Sequence, residues 1–516
     1  MKRRNFVKNI SLGAVAAPFA LKGINYQAIQ KKLFSVSKSA EDRVLILIRL
    51  SGGNDGLNTI IPMNSYDNLQ IHRPNVILPQ SSILSATASL GMHPALSGMH
   101  QLFQNGKLSI IQNVGYPEQN RSHFRSMDIW SMGSMDQSET RGWLGRHFDQ
   151  LYPGYPDGYP NATNPDPFAI AMGYEVSSTC QGVISNYSQA VADPFTNFNL
   201  YNSFETSDGT YFGSHMQYLS TLVDQTNQYI DQISTAANAG STLSTMYDDN
   251  NPLAVQLRQV AQMISGGLKT NVYILDVTGF DTHNAQVDST DVTQGVHADL
   301  LKKLSDAVTA FQDDLNLLGL ENRVAGMTYS EFGRQIASNG SDGTDHGEAA
   351  PLLVFGACIS GGVVGSDPII GTNVDVQDAV PMEIDFRDVY ASVLKDWFEV
   401  PEAEIQTIFD HVITFYPILG ACNLGLEEEN LTQSNGILFP NPAASVTTLK
   451  MKTENERVRI QVVDINGNVL QEVIDKNLCQ DSHLIPIDLE QLSQGNYFVQ
   501  VIKPSGEFSL QLSKVK

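Results

Sequence analysis

The feature that most constrains this fold is a set of five short, nearly continuous apolar runs. Such a run is typical of a strand buried on both faces of a parallel sheet. Helical patterns lie between the runs, most clearly over 296–317, where apolar residues recur at helical spacing. The runs are residues 44–50, 108–114, 271–277, 324–329 and 352–355. This alternation predicts an α/β domain with a doubly wound, mostly parallel sheet.

Acidic residues and histidines follow these runs, at the points where the strands should end. In an open α/β sheet, ligands bind beyond the carboxyl ends of the strands, so we expect these side chains to converge. Mixed carboxylate and imidazole donors suit zinc or a similar divalent metal, with calcium and magnesium as alternatives and one or two ions left open. For Asp55 the alternative is an Asx turn with Asn54. The candidate ligands are Asp55, Asp281, His283, Glu331, Asp345 and His346.

A candidate nucleophile lies in segment 120–130, which follows the run that ends at Val114. Ser122 should lie at a helix N-terminus, where free N–H groups and the helix dipole stabilise an anion. The alternative is that Ser122 is only an N-cap. Arg125 and Arg334 are the candidate catalytic arginines. An internal ion pair with Glu331 is the alternative for Arg334.

The charge balance restricts the classes of partner. The formal net charge is −23. Binding to nucleic-acid phosphates or to an anionic membrane surface requires clustered lysines and arginines. The composition therefore argues against nucleic acid as a partner and fits an acidic, exported protein.

The N-terminus predicts an export signal over residues 1–30. Positive charge precedes a moderately apolar stretch, 10–21, that is too short to span a bilayer, so no transmembrane anchor is expected. Arg3 and Arg4, followed by Phe6 and Lys8, resemble the twin-arginine export signal. An amphipathic first helix is the alternative.

Composition divides the rest of the chain. The α/β domain should span 43–421, with an irregular insertion at about 150–250 that is rich in Tyr, Asn, Asp, Pro and Gly. Such an insertion is either a lid or substrate-selecting surface or a decorated loop. Residues 422–436 are expected to form a linker. Short alternating strands separated by turn signals then predict a small all-β sandwich over 437–516.

The C-terminal segment resembles the sorting domain of the type IX secretion system of Bacteroidetes. The matching pieces are residues 439–443, 463–467, 492–498 and the basic ending 514–516. The resemblance implies that residues 437–516 are read by the type IX secretion machinery, and it places the protein at the outer-membrane surface or outside the cell. A fibronectin-like or carbohydrate-binding module is the alternative.

The α/β part is similar to the family numbered 1501 among domains of unknown function, within the alkaline phosphatase-like superfamily of phosphatases, sulfatases and phosphomutases. The similarity covers nearly all of 44–421. It rests on residues 51–58, 121–130, 142–146, 279–283, 330–334, 344–347 and 385–390. It implies a sheet of the alkaline phosphatase-like type.

The resemblance also implies roles. Asp55 would be the first-strand carboxylate, Ser122 the nucleophile, and Asp281 with His283 the ligands of one metal. Glu331 and His346 would complete a second metal site, although Phe332 stands where the superfamily has a histidine. Ser122 also lacks the sequence context of a formylglycine sulfatase.

The function expected is therefore that of a secreted metal-dependent hydrolase of phosphate or sulfate esters, which include small esters and sulfated or phosphorylated glycans. The alternative is a noncatalytic cell-surface binding protein built on a retired hydrolase fold.

Overall fold

The computed structural model describes residues 42–196, 200, 209–420 and 437–515, the last range without 440–442, 444, 454, 465–467, 480 and 505. The expected export signal over 1–30 and the linker over 422–436 lie outside the described residues. So do parts of three tail motifs, residues 440–442, 465–467 and 516. The chain divides into two compact units at Cys422.

The first unit alternates strands and helices. Its strands are β1 Val44–Ser51, β2 Ile60–Pro62, β3 Leu84–Ser85, β4 Leu90–Met92, β5 Leu108–Gly115, β6 Ala169–Met172, β7 Ser188–Val191, β8 Val272–Thr278, β9 Val324–Tyr329, β10 Arg334–Ser338, β11 Thr344–His346, β12 Ala350–Gly356, β13 Gly362–Val364 and β14 Ile384–Asp385. Its α-helices are α1 Gly56–Thr59, α2 Tyr66–His72, α3 Ser97–Gln104, α4 His123–Met132, α5 Trp143–Leu151, α6 Tyr211–Ala239, α7 Pro252–Ser265, α8 Val296–Leu317, α9 Phe386–Asp396 and α10 Glu402–Ile408. All five apolar runs form strands, and the expected helix over 296–317 is confirmed.

The central sheet has the order β13-β5-β12-β9-β1-β8-β6-β7, with β14 also beside β5. Neighbouring strands pair in parallel except where β12 pairs antiparallel with β5 and β9. The expected mostly parallel α/β sheet is thus confirmed. The carboxyl ends of β1, β5, β8 and β9 lie on one edge of this sheet, and the reversed strand β12 starts there.

The sheet is buried on both faces, as the continuous apolar runs require. On β1, Ile46 and Ile48 belong to a core formed with α7 and α8. Leu45 and Leu47 belong to a core formed with α4, α5 and α9. Each such buried side chain contributes roughly 1.5–3 kcal/mol relative to an exposed one. The two cores hold the strand ends, and therefore the loops that follow them, in fixed positions.

The stretch 150–250 is more regular than its composition indicates. It supplies β6 and β7 to the central sheet, where both run parallel to β8. It also contains α6, a helix of 29 residues. Local turn signals concealed β6 and β7 because each of these strands has only four residues.

The second unit is all β. Its strands are β15 Ile437–Phe439, β16 Val446–Thr453, β17 Glu456–Val463, β18 Val469–Leu478, β19 Asp481–Asp488, β20 Gly495–Lys503 and β21 Gly506–Lys514. They form one sheet of order β15-β16-β19 and another of order β18-β17-β20-β21, both antiparallel. The unit has its own apolar core. The expected small all-β unit is confirmed.

No helix in the described part of the chain is both long and apolar enough to span a membrane.

Candidate metal centre

Five segments meet at the edge where β1, β8 and β9 end: the three loops after these strands, the first residue of α4, and β11. Gly52 allows two of them to approach closely. It has a φ of +124°, and a Cβ there would lie 2.2 Å from the backbone nitrogen of Asp281. Only glycine fits this conformation and contact without strain. The glycine-rich turn after β1 therefore fixes where the loop after β8 lies.

Three histidines surround the carboxylate of Asp281. The Nε2 atoms of His283 and His346 each lie 3.2 Å from Asp281 Oδ1. The Nε2 atom of His123 lies 3.5 Å from Asp281 Oδ2. Candidate ligand atoms of His123, Asp281 and His346 all lie within 4.8 Å of one another. Since 47% of the Asp281 side chain is exposed, the group opens to solvent.

Each of the three imidazoles is held from behind by an oxygen that accepts a hydrogen bond. Because these oxygens only accept, each Nδ1 carries a proton, and in a neutral ring the Nε2 lone pair then faces Asp281. Metal-binding histidines are oriented in the same way in proteins, with the second nitrogen bonded to a carboxylate or carbonyl. The Nδ1 contacts are His123 with Glu331 at 2.9 Å, His283 with Asp345 at 2.7 Å, and His346 with the backbone carbonyl of Arg121 at 2.8 Å.

This arrangement leaves two lone pairs facing each other. His283 Nε2 and His346 Nε2 are 2.9 Å apart. With both protons on Nδ1, the contact is repulsive unless a cation or a proton lies between the two nitrogens. Burial lowers the pKa of His346, which favours its neutral, metal-binding form. Imidazole nitrogens and a carboxylate, as in the group of His123, Asp281 and His346, are a donor set that fits zinc or a related transition metal. His283 adds a further imidazole that contacts Asp281 and His346.

Arg334 occupies a different position from the oxyanion-binding one that its sequence context predicts. The residue is 1% exposed, so its guanidinium is enclosed by its own chain. It donates to backbone carbonyls of Gly53 at 2.6 Å and Thr344 at 2.8 Å, and also to that of Gly52. Another bond, of 2.8 Å, goes to Asp281 Oδ1. Burial is the largest effect and opposes ionisation of Asp281, but the hydrogen bonds and positive charges around the carboxyl, those of Arg334 foremost, together outweigh it and lower the pKa.

Asp55 likewise pairs with residues outside the group around Asp281. It is 1% exposed and forms an ion pair with Arg73 at 3.2 Å. Gln286 donates to its other oxygen at 2.7 Å. Burial is the largest effect and opposes ionisation of Asp55, but the charge of Arg73, the charge of His297 and the hydrogen bonds from Gln286 and Arg73 together lower its pKa. Among the described residues these two side chains saturate the carboxylate, because each of its oxygens accepts two hydrogen bonds from them.

Glu331 and Asp345 lie behind the rings and do not face the centre. Glu331 is buried, and its Oε1 accepts from His123 and from the backbone N–H of Gly52 at 2.8 Å. Asp345 Oδ1 accepts from His283 and from Asn339 at 3.0 Å. Of the six predicted ligands, the structure brings Asp281, His283 and His346 together, while Glu331 and Asp345 orient imidazoles.

Ser122 is the N-cap residue of α4, and its side chain makes no capping hydrogen bond. It is exposed and lies between two residues that contact the centre, Arg121 and His123. The first-turn N–H groups of α4 are therefore not occupied by its hydroxyl. Arg125 is directed elsewhere and donates to the carbonyl of Met135 at 2.9 Å.

Reasoning from the sequence missed His123. It lies inside the segment singled out for Ser122, but as the first residue of a helix it has no strand-end position of its own. Its ring is held by Glu331, 208 residues away. A buried glutamate at a strand end needs a partner, and that requirement was the signal that could have pointed to a nearby histidine.

Two family models match the sequence. One, described as "Protein of unknown function (DUF1501)", matches residues 107–409. The other, described as "Secretion system C-terminal sorting domain", matches residues 437–512. No functionally curated protein matches the sequence.

The structure is similar to several solved structures at low identity. One is the PsFucS1 sulfatase from Pseudoalteromonas sp., at 8% identity, covering 90% of this chain and 87% of that chain, with a TM-score of 0.31. Another is a protein in the alkaline phosphatase superfamily from Vibrio parahaemolyticus, at 9% identity, 91% and 90% coverage, and a TM-score of 0.29. A third is the phosphonate monoester hydrolase SpPMH from Silicibacter pomeroyi, at 8% identity, 92% and 89% coverage, and a TM-score of 0.32.

Proposed function

We propose that this chain, which belongs to the DUF1501 family as the match over more than half of its length shows, is an exported metal-dependent hydrolase of phosphate or sulfate esters. The observation that carries the proposal is the convergence of three Nε2 atoms on Asp281, each ring held at Nδ1 by an oxygen. With both rings neutral, the Nε2 atoms of His283 and His346 repel each other at 2.9 Å, and a bound cation would remove this repulsion.

His123, Asp281, His283 and His346 would hold the metal. Bound there, a divalent metal, with zinc the best fit, would supply Lewis acidity toward an oxygen of the phosphate or sulfate group. Arg334 supports the site indirectly, since it binds the Asp281 side chain and the backbone carbonyls of Gly53, Thr344 and Phe280. One such centre is supported, because Asp55 is already neutralised by Arg73.

Ser122 is the proposed nucleophile. Its oxygen would form a bond to phosphorus or sulfur while the bond to the ester oxygen breaks, and the alcohol would leave with the serine proton. Water would then hydrolyse the serine ester, release phosphate or sulfate, and restore the hydroxyl. The N–H groups at the start of α4, which the Ser122 hydroxyl does not cap, would stabilise the negative charge that develops beside Ser122.

The C-terminal sorting domain supports delivery by the type IX secretion machinery to the outer-membrane surface or the exterior. The twin-arginine signal is a further part of this proposal and concerns residues outside the described ranges.

The second candidate is the noncatalytic surface protein. It is favoured by the internal pairing of Asp55 and the enclosure of Arg334, which remove two groups from the set that the superfamily resemblance implies. The first candidate function predicts that the protein hydrolyses an ester substrate, and the second predicts that it does not.

Hydrolysis of p-nitrophenyl phosphate and p-nitrophenyl sulfate by the full-length chain tests the proposal. We expect turnover that a chelator abolishes and that zinc restores. Ser122→Ala should lower kcat by roughly 10³-fold or more, as loss of a nucleophile does in other enzymes. Ser289→Ala, an exposed serine in another loop, is the control and should match the wild type. Turnover that is equal in Ser122→Ala would remove the nucleophile assignment, and no turnover with metal bound would favour the binding protein.

A further inference from the structure

A cavity of about 580 Å³ opens at the edge of the central sheet where β1, β8 and β9 end. Its floor is formed by side chains of three neighbouring strands, on which every second residue points to the same face of the sheet. On β1, Leu45 and Leu47 face the core formed with α4, α5 and α9, and the next residue in this series is Arg49. The same series gives Asp276 on β8, after Val272 and Ile274, and Tyr329 on β9, after Ala325 and Met327.

Arg49 and Asp276 form an ion pair on the floor of this cavity. They are register partners on neighbouring strands, and Arg49 Nη2 lies 2.8 Å from Asp276 Oδ2. Both side chains remain partly exposed. Packing alone would be served better by apolar residues at these two positions, since a partly buried ion pair loses hydration and returns little stability.

The wall of the cavity is polar and carries one exposed aromatic ring. Ser177, Ser178 and Thr179 supply hydroxyl groups, and Glu175 adds a carboxylate. Tyr174 also lines the cavity and is 92% exposed. With one cationic and two anionic side chains, the cavity has a net negative charge and disfavours an anionic ligand.

Two residues that line the cavity are close along the chain to residues of the candidate metal centre. Tyr329 precedes Glu331 by two residues, which corresponds to about 7 Å of extended chain. Asp276 precedes Asp281 by five residues on the same strand and loop. The charge of Glu331 acts on both Arg49 and Asp276. A molecule that is bound at Asp281 could therefore extend into the cavity.

We propose that this cavity binds a neutral sugar ring, the alcohol part of the ester that is hydrolysed at the metal centre. The proposal rests on the proposed function for its link to catalysis, but the binding itself does not. Sugar hydroxyls donate and accept at once, so they match a floor with one guanidinium and one carboxylate. Tyr174 supplies the flat apolar face that the carbon side of a sugar ring requires.

Saturation-transfer NMR on the full-length chain, with and without zinc, tests the binding. The probes are glucose, galactose, mannose, fucose and N-acetylglucosamine at millimolar concentration. We expect saturation transfer to at least one of them. Tyr174→Ala should raise its Kd roughly fivefold, and Asp276→Asn, which removes a charged hydrogen-bond acceptor, about tenfold or more. Tyr211→Ala is the matched control, because Tyr211 is 84% exposed and lies on α6.

No transfer to any of the five sugars would overturn the proposal, and so would a Kd that Tyr174→Ala and Asp276→Asn leave unchanged. Binding that is lost in both variants would support it even if the chain hydrolysed no ester. In that case the proposed function alone would fail. Hydrolysis of an ester without sugar binding would instead support the proposed function and overturn the sugar site.

Discussion

The side-chain amide of Gln286 donates to Asp55 Oδ2 at 2.7 Å. The carbonyl oxygen of the same amide accepts from the hydroxyls of Thr282 at 3.0 Å and Thr344 at 2.7 Å. Thr282 lies between Asp281 and His283 in the sequence, and Thr344 directly precedes Asp345 and His346. One buried amide thus joins the two segments that carry most of the candidate ligands, and Asp55 holds it in place.

We predict that Thr344→Val raises the metal Kd about tenfold, the usual effect of losing a residue that orients ligands. The substitution keeps the shape of the side chain but removes the hydroxyl that bonds Gln286. Competition titration with a chromophoric chelator measures the Kd. Thr344→Ser keeps the hydroxyl and should bind metal as the wild type does. Equal Kd values for the valine and serine variants would show that the amide does not orient the site.

Asp55→Asn separates a structural role from a ligand role. The change leaves the buried Arg73 without its counter-charge, which costs about 3–5 kcal/mol of unfolding free energy. Urea unfolding measures this loss. Metal should still bind, because the three histidines and Asp281 are unchanged. A variant with wild-type stability and no metal would instead identify Asp55 as a ligand.

Gly52→Ala should displace the loop that carries Asp281 and weaken metal binding by more than tenfold, because the new Cβ would lie 2.2 Å from the Asp281 nitrogen. Gly106→Ala is the matched control. Gly106 also has a positive φ, of +70°, but a Cβ at this position would meet no atom within 4 Å. The control should lose only about 1 kcal/mol of stability and no metal affinity. Equal metal affinity in both variants would contradict the proposed contact.

Acid should destabilise the fold through two buried histidines behind the site. Burial lowers the pKa of His297 to about 4 and that of His93 to about 3. Unfolded histidine titrates near 6.5, so the unfolded state binds more protons below that pH and stability falls as pH drops from 6.5 toward 4. Each histidine removes up to about 1.4 kcal/mol per pH unit in this window.

His297→Gln should flatten this pH dependence, since glutamine does not titrate and its amide can still donate to Asn54, as His297 Nε2 does at 3.0 Å. Urea unfolding at pH values between 4.5 and 7 measures the slope, in the window set by the shifted pKa. The same slope in wild type and variant would show that His297 is not a source of acid sensitivity.

Much of the fold could be predicted because continuous apolar runs leave few alternatives to buried strands. The direction of β12 could not, since an apolar run carries no sign of its polarity. It is reversed because the hairpin of β10 and β11 returns the chain to the carboxyl edge, where β12 begins. For the same reason Asp345 and His346 reach the site from β11, which comes just before β12 in the chain.

The site was predictable only as a set of strand-end residues. Sequence position cannot distinguish a carboxylate that faces the centre, such as Asp281, from one that orients a ring, such as Glu331. That difference depends on contacts across more than 200 residues, as between Glu331 and His123. Whether a charge is free or paired, as for Asp55 with Arg73, likewise depends on the folded neighbourhood.

Metal content, measured by plasma mass spectrometry on the purified full-length chain, tests the central claim most directly. We predict stoichiometric divalent transition metal in the wild type and in His215→Ala, an exposed histidine on α6 that serves as the control. His283→Ala and Asp281→Ala should lose the metal while their circular dichroism stays that of the wild type. Folded wild type that remains metal-free after reconstitution with zinc, or equal metal in all variants, would contradict the account.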